Sequence, residues 1–206
     1  MDLIDLISNT DEYLIEQVTA NLMLTYLILF AIIFSESGII LCPFLPGDGL
    51  LFSIGVVTAV TPLNIYIVIP FLSLAAILGY LFNYRLGRTF GRWILDRDIK
   101  TISKAYYKTE IFMTDHGGKA VIISRFFPIV RTYVPFVAGA VQMNYKLFRR
   151  QTVVGGVLWV SLFCLTGFFT GEIPWVKANY GLIFLGLIIL TLLPFLFKVF
   201  KILRSR

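Results

Sequence analysis

Four charged residues stand in surroundings too apolar to keep them without cause: Glu36, Asp48, Arg125 and Arg131. At bilayer depth each would cost on the order of 2.5–3.5 kcal/mol. Such charges need partners or water. A guanidinium is planar and binds phosphate through parallel hydrogen bonds, which a point-like ammonium cannot do. Arg125 and Arg131 are therefore predicted to hold an anionic group, with Glu36 and Asp48 carrying protons or balancing charge. The plainer assignment is structural: ion pairs pinning segments together, or interfacial charges that never enter the membrane. Asp48, after Pro46-Gly47, also has the position to cap a helix that starts there.

The elements that must position these residues belong to a membrane. Of 206 residues 58% are apolar and only 15% charged, with a mean hydropathy of +0.84. An average soluble domain carries roughly 25% charge. The charge is also divided along the chain. Residues 1–84 hold seven acids and no Lys or Arg (−7), and residues 85–206 hold all eighteen bases and five acids (+13). That asymmetry reads as membrane orientation, not as nucleic-acid binding.

Composition removes several chemistries. Cys42 and Cys164 lie in apolar stretches and read as small core residues. His116 is the only histidine, so histidine-dependent hydrolysis or a histidine metal site has one residue to work with. Its place before Gly117-Gly118 suits a helix C-terminus. Pro46-Gly47-Asp48-Gly49 lacks the Lys-Ser/Thr ending of a nucleotide-binding loop. The acidic start has no secretory or transit pattern. The expectation is a transporter, not an enzyme, with no cofactor and no metal.

The predicted fold is an all-α integral membrane domain over residues 1–206, with about four transmembrane helices and two re-entrant helical hairpins. Residues 1–20 form an amphipathic surface segment. The spans are Leu22–Phe34 (drawing on residues 18–21), Leu63–Tyr84 with a kink at Pro70, Thr152–Thr170, and Gly181–Phe197. A second amphipathic helix occupies 101–115. The first hairpin covers 35–60 and turns on Pro43, Pro46 and Gly47; the second covers 119–143 and is shaped by Pro128, Pro135 and Gly139. Broken backbone does not survive facing lipid, so both hairpins must be buried in protein or line a wet cavity. Gly167 and Gly171 are spaced for close helix packing.

Placing the basic stretch 85–118 in the cytoplasm puts both termini and the basic tail 198–206 there too. The hairpins then enter from opposite faces, the arrangement of an inverted repeat with a site near the midplane. Lys177 and the two hairpin arginines, Arg125 and Arg131, are the bases this orientation leaves unexplained.

The same residues resemble the DedA family, the bacterial members of the VTT-domain (SNARE-associated Golgi protein) group. The matching pieces are Glu36, Pro43-Phe44-Leu45-Pro46-Gly47-Asp48, Gly79-Tyr80 with Gly87-Arg88 and Gly91, and His116-Gly117-Gly118-Lys119. The most specific is Ser124-Arg125-Phe126-Phe127-Pro128, continued by Arg131, Pro135, Ala138-Gly139 and Met143, then Phe148, Gly155 and Trp159. The resemblance covers about residues 20–200. It implies an inner-membrane protein with opposed re-entrant hairpins that moves lipid across the bilayer, either phospholipid or the polyprenyl phosphate carrier, with proton coupling proposed for some members. It puts the functional acids at Glu36 and Asp48 and the functional arginines at Arg125 and Arg131. Two positions depart from the pattern: Tyr80 where the family often has Asp, and Thr152 where it often has Asn.

The expected partners are membrane lipids with an anionic or phosphate-bearing headgroup. Nucleic acid is not expected, and a homo-oligomer is allowed. The competing function is a proton- or cation-coupled transporter of a small solute, in which Glu36 and Asp48 dominate. A membrane enzyme acting on a lipid headgroup ranks below both.

Overall fold

The computed structural model describes residues 21–39, 47–95 and 119–178, together with Thr109, Ile111 and Met113. The N-terminal segment, Cys42, Pro43 and Pro46, most of 96–118 with His116, the expected fourth span and the basic tail lie outside the described residues. All regular structure in the described part is helical: α1 Leu22–Gly38, α2 Gly47–Val60, α3 Ile65–Leu95, α4 Ala120–Ser124, α5 Pro128–Ala140, α6 Tyr145–Gly171 and α7 Pro174–Ala178.

Two of these helices are long and apolar enough to cross a membrane: Ile65–Gly91 within α3, and α6, each 27 residues. At 1.5 Å per residue, each reaches about 40 Å against a hydrocarbon core of about 30 Å. Both begin on an asparagine cap. Asn64 Oδ1 accepts from the Tyr66 amide at 2.9 Å. Asn144 Oδ1 accepts from the amides of Lys146 and Leu147 at 3.0 and 3.3 Å.

The helices outrun the predicted spans. α1 continues through Ser35-Glu36-Ser37-Gly38, so Glu36 sits in its last turn and not in a separate hairpin arm. α3 runs past Tyr84 to Leu95, and α6 starts at Tyr145, before Thr152. Hydropathy marks the depth of lipid, whereas a helix ends where its hydrogen-bond ladder ends. Pro70 is accommodated inside α3.

The chain forms two compact units. The first comprises residues 1–29, 44–70 and 160–206. In its described part α2 lies against the C-terminal portion of α6 at backbone contact. A Cβ on Gly55 would fall 2.2 Å from the Cys164 carbonyl oxygen, and one on Gly167 would fall 2.1 Å from that of Phe52. Cys164 is buried here as a free thiol. Gly171 packs on Val56 and Ala59, as its spacing from Gly167 predicts.

The second unit comprises residues 30–43 and 71–159. Its core joins Tyr80 and Tyr84 of α3, Val121 of α4, Val134 and Ala138 of α5 and Phe148 of α6. The rings of Tyr84 and Phe148 stack at 4.4 Å. α4 and α5 form a helix–turn–helix through residues 125–127 and pack on each other. Pro128 opens α5, where a missing N–H costs nothing.

Pro135 and Gly139, expected to shape the hairpin turn, both lie inside α5. Gly139 serves close packing: a Cβ there would meet the Tyr84 carbonyl oxygen at 2.1 Å. The residue that turns the chain at the end of α5 is Gln142, with φ of 55°. Met143 N–H bonds the Ala138 carbonyl at 2.9 Å and Gln142 N–H bonds Gly139 at 3.0 Å, closing a Schellman motif around a residue other than glycine. Gln142 is exposed, so Gln142→Gly should stabilise the protein by about 1 kcal/mol through relief of the left-handed strain. Thermal unfolding in detergent would show this as a raised Tm.

Outward faces are apolar in both units. Met23, Leu24, Leu27 and Ile28 are exposed on α1; so are Leu74, Leu78 and Phe82 on α3, and Val153, Val157 and Leu158 on α6. Glu36, Arg125 and Arg131 are buried instead. Contiguous apolar surface of this kind is at home in lipid.

Candidate functional site

The interior of the second unit brings together three of the four singled-out charges. Glu36 enters from the last turn of α1, Arg125 from the turn after α4, and Arg131 from the first turn of α5. All three are buried. Gly79 makes this convergence feasible. A Cβ there would fall 2.7 Å from the Phe34 carbonyl oxygen and 2.8 Å from Ser37 Cβ, so α1 and α3 touch at the level of Glu36. Asp48 belongs to the first unit and occupies the first turn of α2, where its charge suits the helix N-terminus.

Arg131 Nη2 donates to Glu36 Oε1 in a buried ion pair. Arg125 is held differently. Its guanidinium carbon lies 3.8 Å from the centroid of the Tyr80 ring, and its Nη2 donates to the Ala76 carbonyl at 3.3 Å. Its Nε has no hydrogen-bond partner among the described residues. A desolvated cation–π contact of this type is worth about 2 kcal/mol. Trp159 of α6 completes the enclosure, its ring centroid 5.3 Å from the Arg131 guanidinium and 5.8 Å from that of Arg125. Gly155 and Gly156 leave the slot on α6 in which Arg125 lies; Cβ atoms there would stand 3.3 Å from its Cδ and 3.5 Å from its Nη2.

Between these groups is a small cavity lined by Glu36, Ser37, Tyr80, Arg125, Arg131, Thr132 and Trp159, with free room for about one water molecule. Guanidinium, carboxylate, hydroxyl and indole groups thus meet in the interior of the second unit. The arrangement can bind an anionic oxygen group once the cavity widens.

α5 is fixed to α3 by side chains that sequence reasoning did not single out for this task. Pro135 has no N–H, so the carbonyl four residues back, that of Arg131, loses its helical partner. Tyr80 supplies the replacement: its hydroxyl donates to the Arg131 carbonyl at 2.8 Å. Asn83 Nδ2 donates to the Thr132 carbonyl at 3.1 Å, and the Tyr84 hydroxyl donates to that of Met143 at 2.6 Å. These α3 residues, at i, i+3 and i+4, form one helical face. The signal available in the sequence was a run of polar groups at helical spacing within a span, together with a proline four residues after an arginine. Thr152 is buried, and its hydroxyl has no hydrogen-bond partner among the described residues.

Comparison with known proteins identifies relatives that are membrane proteins. The VTT domain matches residues 45–169. Protein DedA of Escherichia coli K12 is 40% identical over 203 residues, covering 97% of this chain and 93% of that protein. An uncharacterized membrane protein of Mycobacterium tuberculosis H37Rv is 37% identical over 85% of this chain and 78% of its own length. The inner membrane protein YqjA of Escherichia coli K12 is 33% identical over 72% of this chain and 69% of its own length. No solved structure matches the chain.

Proposed function

Because this chain belongs to the DedA family of VTT-domain membrane proteins, we propose that it is a lipid carrier of the bacterial inner membrane and not an enzyme. It moves a phospholipid or a polyprenyl phosphate between leaflets. The phosphate is held by Arg125 and Arg131, while the acyl or prenyl chains stay in the surrounding lipid. The observation that carries this reading is the pairing of two buried arginines with one buried glutamate around a single cavity. A soluble anion would need a continuous aqueous path, whereas a lipid brings only its headgroup into the polar interior.

In this reading the two hairpins are re-entrant and enter from opposite faces, and both termini are cytoplasmic. The cavity has room for about one water molecule, so transport requires α4–α5 to move relative to α1 and α3 within the second unit. Glu36 either neutralises Arg131 between substrates or passes a proton. The second case leaves room for coupled transport of a small solute, favoured by the presence of a carboxylate in the cavity.

Reconstitution into liposomes carrying labelled phospholipid or polyprenyl phosphate tests the proposal. Arg125→Ala and Arg131→Ala should each lower headgroup translocation by at least about tenfold, the loss expected for one charge-assisted contact. Unchanged flux in both variants would remove the phosphate site. Uptake of a solute driven by a pH gradient, with no lipid movement, would favour the solute transporter.

A further inference from the structure

We infer that the second unit contains a buried water site at the Nε edge of Arg125, where one water joins that nitrogen to the Thr152 hydroxyl and the Gln151 side-chain carbonyl of α6. Three buried polar atoms mark the site. Arg125 Nε, Thr152 Oγ1 and Gln151 Oε1 have no hydrogen-bond partner among the described residues. Thr152 is 0% exposed, Arg125 1% and Gln151 8%. Buried polar atoms are rarely left unpaired in folded proteins, and ordered water commonly serves those that the chain does not. Gln151 and Thr152 lie outside the lining of the cavity described above.

Thr152 is set apart from other helical hydroxyls of this chain. Ser53, Thr58, Thr166 and Thr170 each donate to a carbonyl three or four residues back in their own helix, at 2.6–2.8 Å. The Thr152 hydroxyl makes no such bond among the described residues, so it is directed away from its own backbone.

Glycine makes the room. A helical side chain covers the turn before its own Cα. The turn that holds Gln151 and Thr152 would be covered from positions 155 and 156, and both are glycine. Arg125 lies there instead. A Cβ on Gly155 would stand 3.3 Å from its Cδ and 3.5 Å from its Nε, and one on Gly156 would stand 3.5 Å from its Nη2. Positions three and four apart on a helix are neighbours, about 5–6 Å between Cβ atoms. The Nε edge is thus within reach of both side chains through a single water.

The three atoms select the ligand. Nε only donates, a carbonyl oxygen only accepts, and a hydroxyl does both. A water accepts from Nε and donates to Oγ1 and Oε1. An anion would face the Gln151 oxygen, and a cation would face the guanidinium. The water ties the turn after α4 to α6, as Nη2 ties it to α3 through the Ala76 carbonyl. The site does not depend on what the cavity carries.

The test uses the full chain with isotopically labelled arginine, purified in a neutral maltoside detergent. The Nε–H resonance of Arg125, assigned by its loss in Arg125→Gln, should show a nuclear Overhauser cross-peak to water. Thr152→Val, which swaps the hydroxyl for a methyl group of similar size, should remove that cross-peak, and Thr152→Ser should keep it. No cross-peak in the parent, or an unchanged one in Thr152→Val, overturns the inference. Thermal unfolding gives a second reading through its sign. Thr152→Val should lower Tm by about 2–4 °C, because Arg125 loses its bridge to α6. A hydroxyl with no water would be a buried cost, so its removal would leave Tm unchanged or raise it, and either result overturns the inference. If Thr152→Val does not fold, Gln151→Leu must weaken the cross-peak, and an unchanged cross-peak there overturns the inference equally.

Discussion

Glu36→Ala is expected to destabilise the protein by about 3–5 kcal/mol, because it leaves the Arg131 guanidinium buried without its carboxylate. Arg131→Ala should cost a similar amount by stranding Glu36. The double replacement Glu36→Leu with Arg131→Met should recover most of the loss, since neither desolvated charge remains. Thermal or chaotrope unfolding in detergent reads all three. The double variant then separates stability from function: folded, yet unable to translocate lipid. If it were folded and fully active, the ion pair would be a structural device alone. If Glu36→Ala unfolded no more readily than the parent, the pair would contribute nothing to the fold.

The second large effect concerns the link between α3 and α5. Tyr80→Phe keeps the ring under Arg125 but removes the donor that serves the Arg131 carbonyl. A buried acceptor left in this way costs about 1–3 kcal/mol. Pro135→Ala returns an N–H four residues after Arg131, which the helix can use in place of the hydroxyl. In the background of Tyr80→Phe, Pro135→Ala should therefore be markedly less costly, or stabilising, compared with its effect in the parent. The coupling is read from a double-mutant cycle of unfolding free energies. Strict additivity would mean that the hydroxyl does not stand in for the missing amide.

How far the sequence could be read depended on whether its signal was a cost or a contact. Glu36, Arg125 and Arg131 were legible because a charge within an apolar stretch is expensive wherever it ends up. That expense announces a partner without naming one. The partnering itself was not legible: Glu36 and Arg131 lie 95 positions apart, and no spacing rule links them. Tyr80 stands out only as a departure from the family pattern and Asn83 not at all, because a hydroxyl or amide in a span is cheap enough to need no account. Only the orphaned carbonyl made by Pro135 assigns Tyr80 its task.

The helix ends were misjudged for a related reason. Ser35-Glu36-Ser37-Gly38 and Tyr145 through Gln151 are polar enough to look like loop, yet nothing in them breaks a backbone ladder. The residue type of Gly139 suggests a turn; its neighbours across the helix interface decide that it is a contact residue.

The Glu36–Arg131 pair also bears on how the molecule is made. Its partners are separated by 95 positions in the chain. At about 5–20 residues per second of synthesis, α1 is complete roughly 5–20 s before Arg131 emerges. Until Arg85 is made Glu36 has no base of its own chain to meet, and both cavity arginines come later still. The end of α1 that carries the carboxylate must wait near water or against a neighbour outside this chain. The buried pair of the second unit is therefore completed late, by α5, around a helix laid down early.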